Sequence, residues 1–170
     1  MIHLDAAYSL ACSLTRDERS AQDIVQEACL RAFKFIDTFR GGNSRAWFLS
    51  IVRNTYYSDL KKNRAQTLNV PFDENDASQD EAANPFCAEA GGDPIVDLER
   101  EEAKRVVRAA LLDLPDEYRE VMVLRELEEL SYQEIARIAQ VPLGTVMSRL
   151  SRARKLLYRA LQRVHAGVAK

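Results

Sequence analysis

Between Gln66 and Asp93 the chain loses the helical period it keeps almost everywhere else. Pro71, Asn75, Asn84, Pro85, Gly91 and Gly92 sit there among scattered acids, and residues 67 to 98 contain no Lys or Arg. With 170 residues in all, the chain is long enough for one ordinary domain or two small ones, and such a break reads as a linker between two. A flexible coil over this gap would span about 30 Å, and its like charges would stretch it further. Compact and parted arrangements of the two units both satisfy such a tether, and Phe72 and Phe86 give it two apolar groups that could dock.

The flanking segments place apolar residues three and four apart, and no run of alternating Val, Ile and Thr between turns predicts a strand. The expected fold is all-α: a helical domain over 1–66, an acidic linker over 67–93, and a second helical domain over 94–170 ending in a helix-turn-helix. The first domain should hold helices over about Leu4–Leu14, a longer one entered through Ser20-x-x-Asp23, and a third over about Ser44–Lys62 after a break at Gly41-Gly42-Asn43. The second should begin at Asp93-Pro94, stop at Pro115, and continue with helices over about Asp116–Leu127, Ser131–Ala139 and Pro142–His165.

The net charge of -2 hides a segregation along the chain. Residues 1–66 carry ten bases against seven acids, 67–98 none against eight, 99–130 six against ten, and 131–170 eight against one. Two regions with excess cations separated by acid suit contact with a polyanion at two places. No apolar run reaches the roughly 20 residues that cross a bilayer, and no basic-then-apolar leader opens the chain, so a soluble cytoplasmic protein without membrane insertion is expected. Cys12, Cys29 and Cys87 are odd in number and irregularly spaced, which favours reduced, buried thiols over a disulfide framework or a zinc knuckle. His3 and His165 stand at opposite ends, and no phosphate loop, nucleophile-base pair or metal-ligand spacing is present. No catalysis, metal or cofactor is therefore expected.

Three constellations carry functional chemistry. Ser131-x-x-Glu134 is a capping box, followed by Ile135, Ala136, Ile138 and Ala139, a turn through Gln140-Val141-Pro142, and a basic helix. At 100° per residue, Val146, Leu150, Ala153 and Leu157 form its buried stripe. The opposite face then presents Gly144, Ser148, Ser151, Arg152 and Lys155, flanked by Thr145, Met147, Arg149 and Arg154, a mixture of hydroxyls and cations suited to a DNA major groove. On the helix from Ser20, the core stripe is Ile24, Val25, Ala28, Ala32 and Phe35. Gln26, Leu30 and Phe33 lie opposite it with Asp23, Glu27 and Lys34 at their edge, either a protein-docking surface or a face covered by another helix. In the third helix Trp47, Phe48, Ile51, Val52 and Thr55 can be buried together, leaving Ser50, Arg53, Asn54, Tyr57 and Lys61 as a polar face. Cations, a ring and an amide there suit unpaired bases, or are the outer side of an ordinary amphipathic helix. The Gly41-Gly42-Asn43 loop could close over an extruded base or be a simple turn.

These stretches together resemble the extracytoplasmic-function (ECF) group of bacterial RNA polymerase sigma factors. The matching residues are Asp23-Ile24-Val25-Gln26-Glu27, Phe39-Arg40-Gly41, Ala46-Trp47-Phe48, Arg53-Asn54 and Leu60-Lys61-Lys62. In the second half they are Leu114-Pro115, Arg119-Glu120-Val121, Leu130 through Ala136, Val141 through Val146, Ser148-Arg149 and Arg152-Ala153-Arg154. The resemblance implies a non-catalytic initiation factor that gives core RNA polymerase its promoter specificity. It assigns Asp23, Gln26, Glu27, Leu30 and Phe33 to the clamp helices of the polymerase beta-prime subunit, with the second domain on the beta flap. Phe39, Arg40, Gly41, Asn43 and Ser44 are assigned to an unstacked minus-ten base, and Trp47, Arg53, Asn54, Tyr57 and Lys61 to the adjoining duplex and melted strand. Minus-thirty-five reading falls to Met147, Ser148, Ser151 and Arg152, with Thr145, Arg149, Arg154 and Lys155 around them. An acidic connector running through the polymerase cleft and an anti-sigma protein as inhibitor are further implications. The first helix, so near the start of the chain, is expected to be short at its N-terminal end. The competing reading from the residues themselves is a stand-alone helix-turn-helix regulator binding operator duplex as a dimer.

Overall fold

The computed structural model describes residues 3–67 and 97–168. The expected linker beyond Thr67, the Asp93-Pro94 start of the second domain, Phe72, Phe86 and Cys87 all lie outside the described residues.

In the first half, α1 (Leu4–Thr15), α2 (Glu18–Lys34) and α3 (Ser44–Thr67) pack pairwise, with a 3-10 turn at Ile36–Thr38. Arg16 ends α1 in the left-handed region, φ 62°, with its N–H on the Cys12 carbonyl. Asp17 then turns extended and its carboxylate accepts from the Ser20 amide at 2.7 Å. The sequence placed the start of α2 at Ser20; the helix begins two residues earlier because Asp17, which fits the extended cap geometry, satisfies the orphan amide that Ser20 donates. The core joins Ala7, Leu10, Ala11 and Leu14 to Ala21, Ile24 and Ala28 and to Phe48, Leu49 and Val52. Alanines at the contacts let the helices approach closely. Val25 and Ala32 are half-buried as the stripe requires, whereas Phe35 is exposed because α2 stops at Lys34 and the chain turns away there. Cys12 is buried, and burial pushes its thiol up to about 11, so it stays protonated; Cys29 is half-buried and shifted in the same direction for the same reason.

In the second half, α4 (Asp97–Leu112), α5 (Asp116–Met122), α6 (Tyr132–Ala139) and α7 (Leu143–Val168) enclose Leu111, Leu114, Val121, Leu124, Ile135, Ile138, Val146, Leu150 and Ala153. The expected helix over Asp116–Leu127 changes hydrogen bonding at Val123, where a π turn runs to Leu127 and the Glu128 amide reaches the Val123 carbonyl at 3.1 Å. Val121, Met122, Val123 and Leu124 are all buried. Four successive residues cover about 300° of a helix, so this segment must be wrapped on more than one side. α7 covers one flank of α5, and α1 of the first domain covers another.

The two halves of the described chain are thus in contact and share one buried core: α1 lies on α5 and the π turn, and α3 lies on α6. None of the helices among the described residues is long and apolar enough to cross a membrane.

Candidate polymerase and nucleic-acid interfaces

On α2 the face opposite the core is open. Leu30 and Phe33 are 62% and 66% exposed, and Asp23, Gln26 and Glu27 are exposed around them. Glu27 is held by Arg31 at 2.8 Å. Among the described residues no helix covers this face. Beside it, an apolar cavity of about 330 Å³ is lined by Cys29, Ala32, Phe33, Ile36, Phe39 and Trp47 among others.

The loop before α3 uses Gly41 and Gly42 at φ 87° and 97°, values that a side chain would strain. Asn43 then caps α3, its Oδ1 accepting from the Ala46 amide at 3.1 Å. Phe39 packs its ring on Trp47 at 5.3 Å, both half-buried, while Arg40, Asn43 and Ser44 are exposed. His3 lies 3.0 Å from the Ser44 hydroxyl, so this histidine has a polar neighbour. A cleft of about 320 Å³ opens over this loop, floored by Phe39, Gly41, Asn43 and Trp47 and walled by Glu134, Arg137 and Ile138 of α6.

Farther along α3, the polar face is where the sequence put it, with Ser50, Arg53 and Tyr57 half-buried and Asn54 and Lys61 exposed. The Arg53 guanidinium stacks 4.5 Å over the Tyr57 ring and pairs with Glu120 of α5, whose side chain is 1% exposed. Tyr57 donates a long hydrogen bond, 3.5 Å, to the same carboxylate. Burial foremost, and then the Glu120 charge, push the Tyr57 hydroxyl up to about 12. Burial foremost raises Glu120 above the usual carboxylate range, opposed by Arg53. Asn54 accepts from the Gln140 amide at 3.2 Å, and Asn43 donates to Glu134. Ser50 turns back to the Trp47 carbonyl at 2.6 Å, and Lys61 is exposed.

The helix-turn-helix forms as its spacing predicts. Ser131 and Glu134 make a complete capping box, Gln140 takes the left-handed turn at φ 55°, and the Pro142 carbonyl accepts from the Thr145 and Val146 amides of α7. Val146, Leu150 and Ala153 are buried and Leu157 is half-buried. Met147, Ser148, Ser151, Arg152, Arg154 and Lys155 are exposed, with Thr145 and Arg149 half-buried. Arg149 and Arg154 are engaged by Glu117 and Glu126 at 2.9 and 3.0 Å, and Arg152 is exposed.

Two groups of residues escaped the sequence reading. Arg45, in the first turn of α3, pairs with the buried Glu128 carboxylate. A cation at a helix N-terminus opposes the macrodipole, and that local oddity is the signal pointing to a partner elsewhere. Arg119 is fully buried, donating to the carbonyls of Ser13, Leu112 and Leu114 and to Asp116.

The sequence model for sigma-70 region 2 matches residues 1–66, and that for sigma-70 region 4 matches residues 104–157. The chain is 32% identical to the RNA polymerase sigma-H factor of Pseudomonas aeruginosa, over 90% of this chain and 79% of that protein. It is 36% identical to the ECF RNA polymerase sigma-E factor of Escherichia coli, over 82% and 73%. It is also 36% identical to the ECF RNA polymerase sigma factor EcfG of Rhodopseudomonas palustris, over 88% and 75%. Among solved structures it is similar to the sigma factor RpoE bound to the anti-sigma factor NepR from Bartonella quintana, with a TM-score of 0.70 and 29% identity, covering 94% of this chain and 91% of that one. With an open apolar face on α2, a capped loop and polar face on α3, and an exposed basic helix after the turn, the chain belongs to the ECF group of RNA polymerase sigma factors.

Proposed function

We propose that this chain brings core RNA polymerase to promoters in the cytoplasm, performing no bond chemistry itself. The observation that carries the reading is the pairing, in one chain, of an uncovered apolar and acidic helix face with an exposed basic reading helix. Residues 1–66 act as the polymerase-binding and minus-ten domain and residues 94–170 as the minus-thirty-five domain, with the acidic segment between them as connector.

Leu30 and Phe33 dock on the beta-prime clamp helices, and Asp23, Gln26 and Glu27 form the polar rim of that contact. The second domain engages the beta flap. Phe39, Arg40, Gly41, Asn43 and Ser44 take an extruded base at the mouth of the Gly-Gly loop, where Trp47 and Phe39 supply flat apolar walls. Arg53, Asn54, Tyr57 and Lys61 follow the melted strand. On α7, Arg152, Ser151, Ser148 and Met147 face base edges, and Thr145, Arg149, Arg154 and Lys155 position the helix on phosphates. A similar solved sigma factor is held by an anti-sigma factor, which supports regulation of this chain by an inhibitor of that kind.

Run-off transcription after a heparin challenge, with and without core polymerase, tests the reading. Resistant transcripts should require both components. Tight footprinting of a palindrome by the isolated chain, with nothing added by core polymerase, would make it a stand-alone regulator instead.

A further inference from the structure

α7 runs for 26 residues without an Asp or Glu. Its cations divide into two groups. Arg149 and Arg154 are engaged by Glu117 of α5 and Glu126 of the π turn. Arg152, Lys155, Arg159 and Arg163 are exposed, and among the described residues none of the four pairs with a carboxylate. At about 100° per residue they fall within one sector of about 80°, facing away from the buried Val146, Leu150 and Ala153. Local energetics do not account for this stripe. Lys155, Arg159 and Arg163 stand four apart, and like charges at that spacing oppose a helix. A cation does favour a helix C-terminus, but that effect fades within the last turn, and Arg163 lies more than a turn before Val168. Cations that meet no acid on their own helix or from a neighbouring one are complementary to an anion outside the chain.

The length of the stripe identifies that anion. In a helix-turn-helix the first residues of the second helix enter the major groove, and on α7 those are the turns that carry Met147, Ser148, Ser151 and Arg152. From Arg152 to Arg163 the helix advances about 16 Å, more than the roughly 12 Å width of that groove. Arg159 and Arg163 therefore overrun the groove and come out over the phosphodiester backbone at its edge. We propose that the C-terminal half of α7 makes a second contact with duplex DNA, in which Arg159 and Arg163 hold backbone phosphates beside the base pairs that the N-terminal half reads. The inference rests on the proposed reading of α7 as the minus-thirty-five helix. Contacts of this kind carry no sequence information. They add affinity by releasing counterions, and that part of the affinity falls with salt. Three of the four residues proposed to read bases, Met147, Ser148 and Ser151, carry no charge, so the stripe supplies an attraction that the reading face itself lacks.

Anisotropy of a fluorescein-labelled DNA duplex of randomised sequence, titrated with the full chain over a series of potassium chloride concentrations, reads this contact. Arg159→Gln with Arg163→Gln should lower the slope of log affinity against log salt by about 2, roughly 0.9 for each phosphate released. Glutamine forms helix about as well as arginine, so α7 is kept. Arg159→Lys with Arg163→Lys retains both charges and should retain the wild-type slope. Arg19→Gln with Lys34→Gln removes the same charge from exposed positions on α2 and should also leave the slope unchanged. A slope in the Arg159 and Arg163 glutamine variant within about 0.5 of wild type overturns the proposal. If that variant keeps the slope and loses capture of core polymerase, the stripe is a protein-docking face instead. An equal fall in the α2 variant overturns the proposal as well, because net charge alone then explains the loss. Run-off transcription by the wild-type chain with core polymerase separates this contact from the initiation role. Transcription that needs both components, beside an unchanged slope in the glutamine variant, leaves initiation standing and removes the phosphate contact. A slope that falls as expected in a chain that never supports transcription keeps the contact with duplex and removes the initiation role.

Discussion

Arg119 and Arg152 show how differently one residue type is used. Arg119 has lost all contact with solvent, and its guanidinium gathers the carbonyls of Ser13, Leu112 and Leu114 together with Asp116. It thereby closes the C-terminal end of α4 and ties it to the end of α1. Removing it strands several buried carbonyls, so Arg119→Ala should cost about 3 kcal/mol or more in urea unfolding. Lysine, a point charge without the planar fork, should recover only part of that loss. A change under about 0.5 kcal/mol, the usual surface value, would mean that water replaces the guanidinium without penalty. Arg152 is exposed on α7. Arg152→Ala should lower discrimination between promoter sequences by about 1 to 3 kcal/mol if the side chain forks onto a base. An even loss across sequences, with a smaller salt slope, would assign it to phosphate. The exposed, basic setting of Arg152 was legible in the sequence because its own helix supplies the cations around it. Arg119 was not, since its partners are backbone carbonyls as far away as Ser13.

At the scale of the element, the turn between α6 and α7 was readable because every signal in it is local. The Ser131 hydroxyl accepts from the Glu134 amide, the Glu134 carboxylate returns to the Ser131 amide at 2.8 Å, and Gln140 carries the left-handed turn. Ser131→Ala should cost about 1 kcal/mol of stability. Hydrogen bonds from the Ser131 hydroxyl and amide, and then from Asn43, hold Glu134 below its ordinary 4.5. A carboxylate so depressed contributes stability that is fully present above its unfolded value and is lost as pH falls through the folded one. The difference in Tm between wild type and Glu134→Gln should accordingly be constant near neutral pH and narrow as pH drops below about 4.5. A gap that instead widens on acidification would show the charge to be a burden. The start of α2 was misplaced by the same local reasoning, since Asp17 and Ser20 both fit a cap and only the backbone conformation at Arg16 and Asp17 chooses between them. The π turn at Val123–Leu127 was illegible for a further reason: four consecutive apolar residues fit no single helical face, and what buries them includes α1 of the other domain.

For the whole molecule, the charge pattern held half of the answer. A first domain with excess cations and a following segment rich in acids are complementary, and the structure brings them together through Arg45 with Glu128 and Arg53 with Glu120. Which cation meets which acid depends on the relative placement of two domains that the sequence links by a long tether, and no periodicity encodes that. The packing also separates the two jobs proposed for the first half of the chain. The residues proposed for polymerase lie on α2, which packs on α1 and α3, whereas those proposed for the minus-ten strand lie on α3 against α6 and α5. Phe33→Glu should therefore weaken capture of core polymerase by about 2 kcal/mol or more, as loss of a central apolar anchor does, while leaving helicity intact. Combined with Glu128→Lys, its effect on the association rate with core polymerase should be additive to within about 0.5 kcal/mol, because the two sites share no partner. Coupling well above that value would mean that docking on α2 senses the contact between the two halves directly.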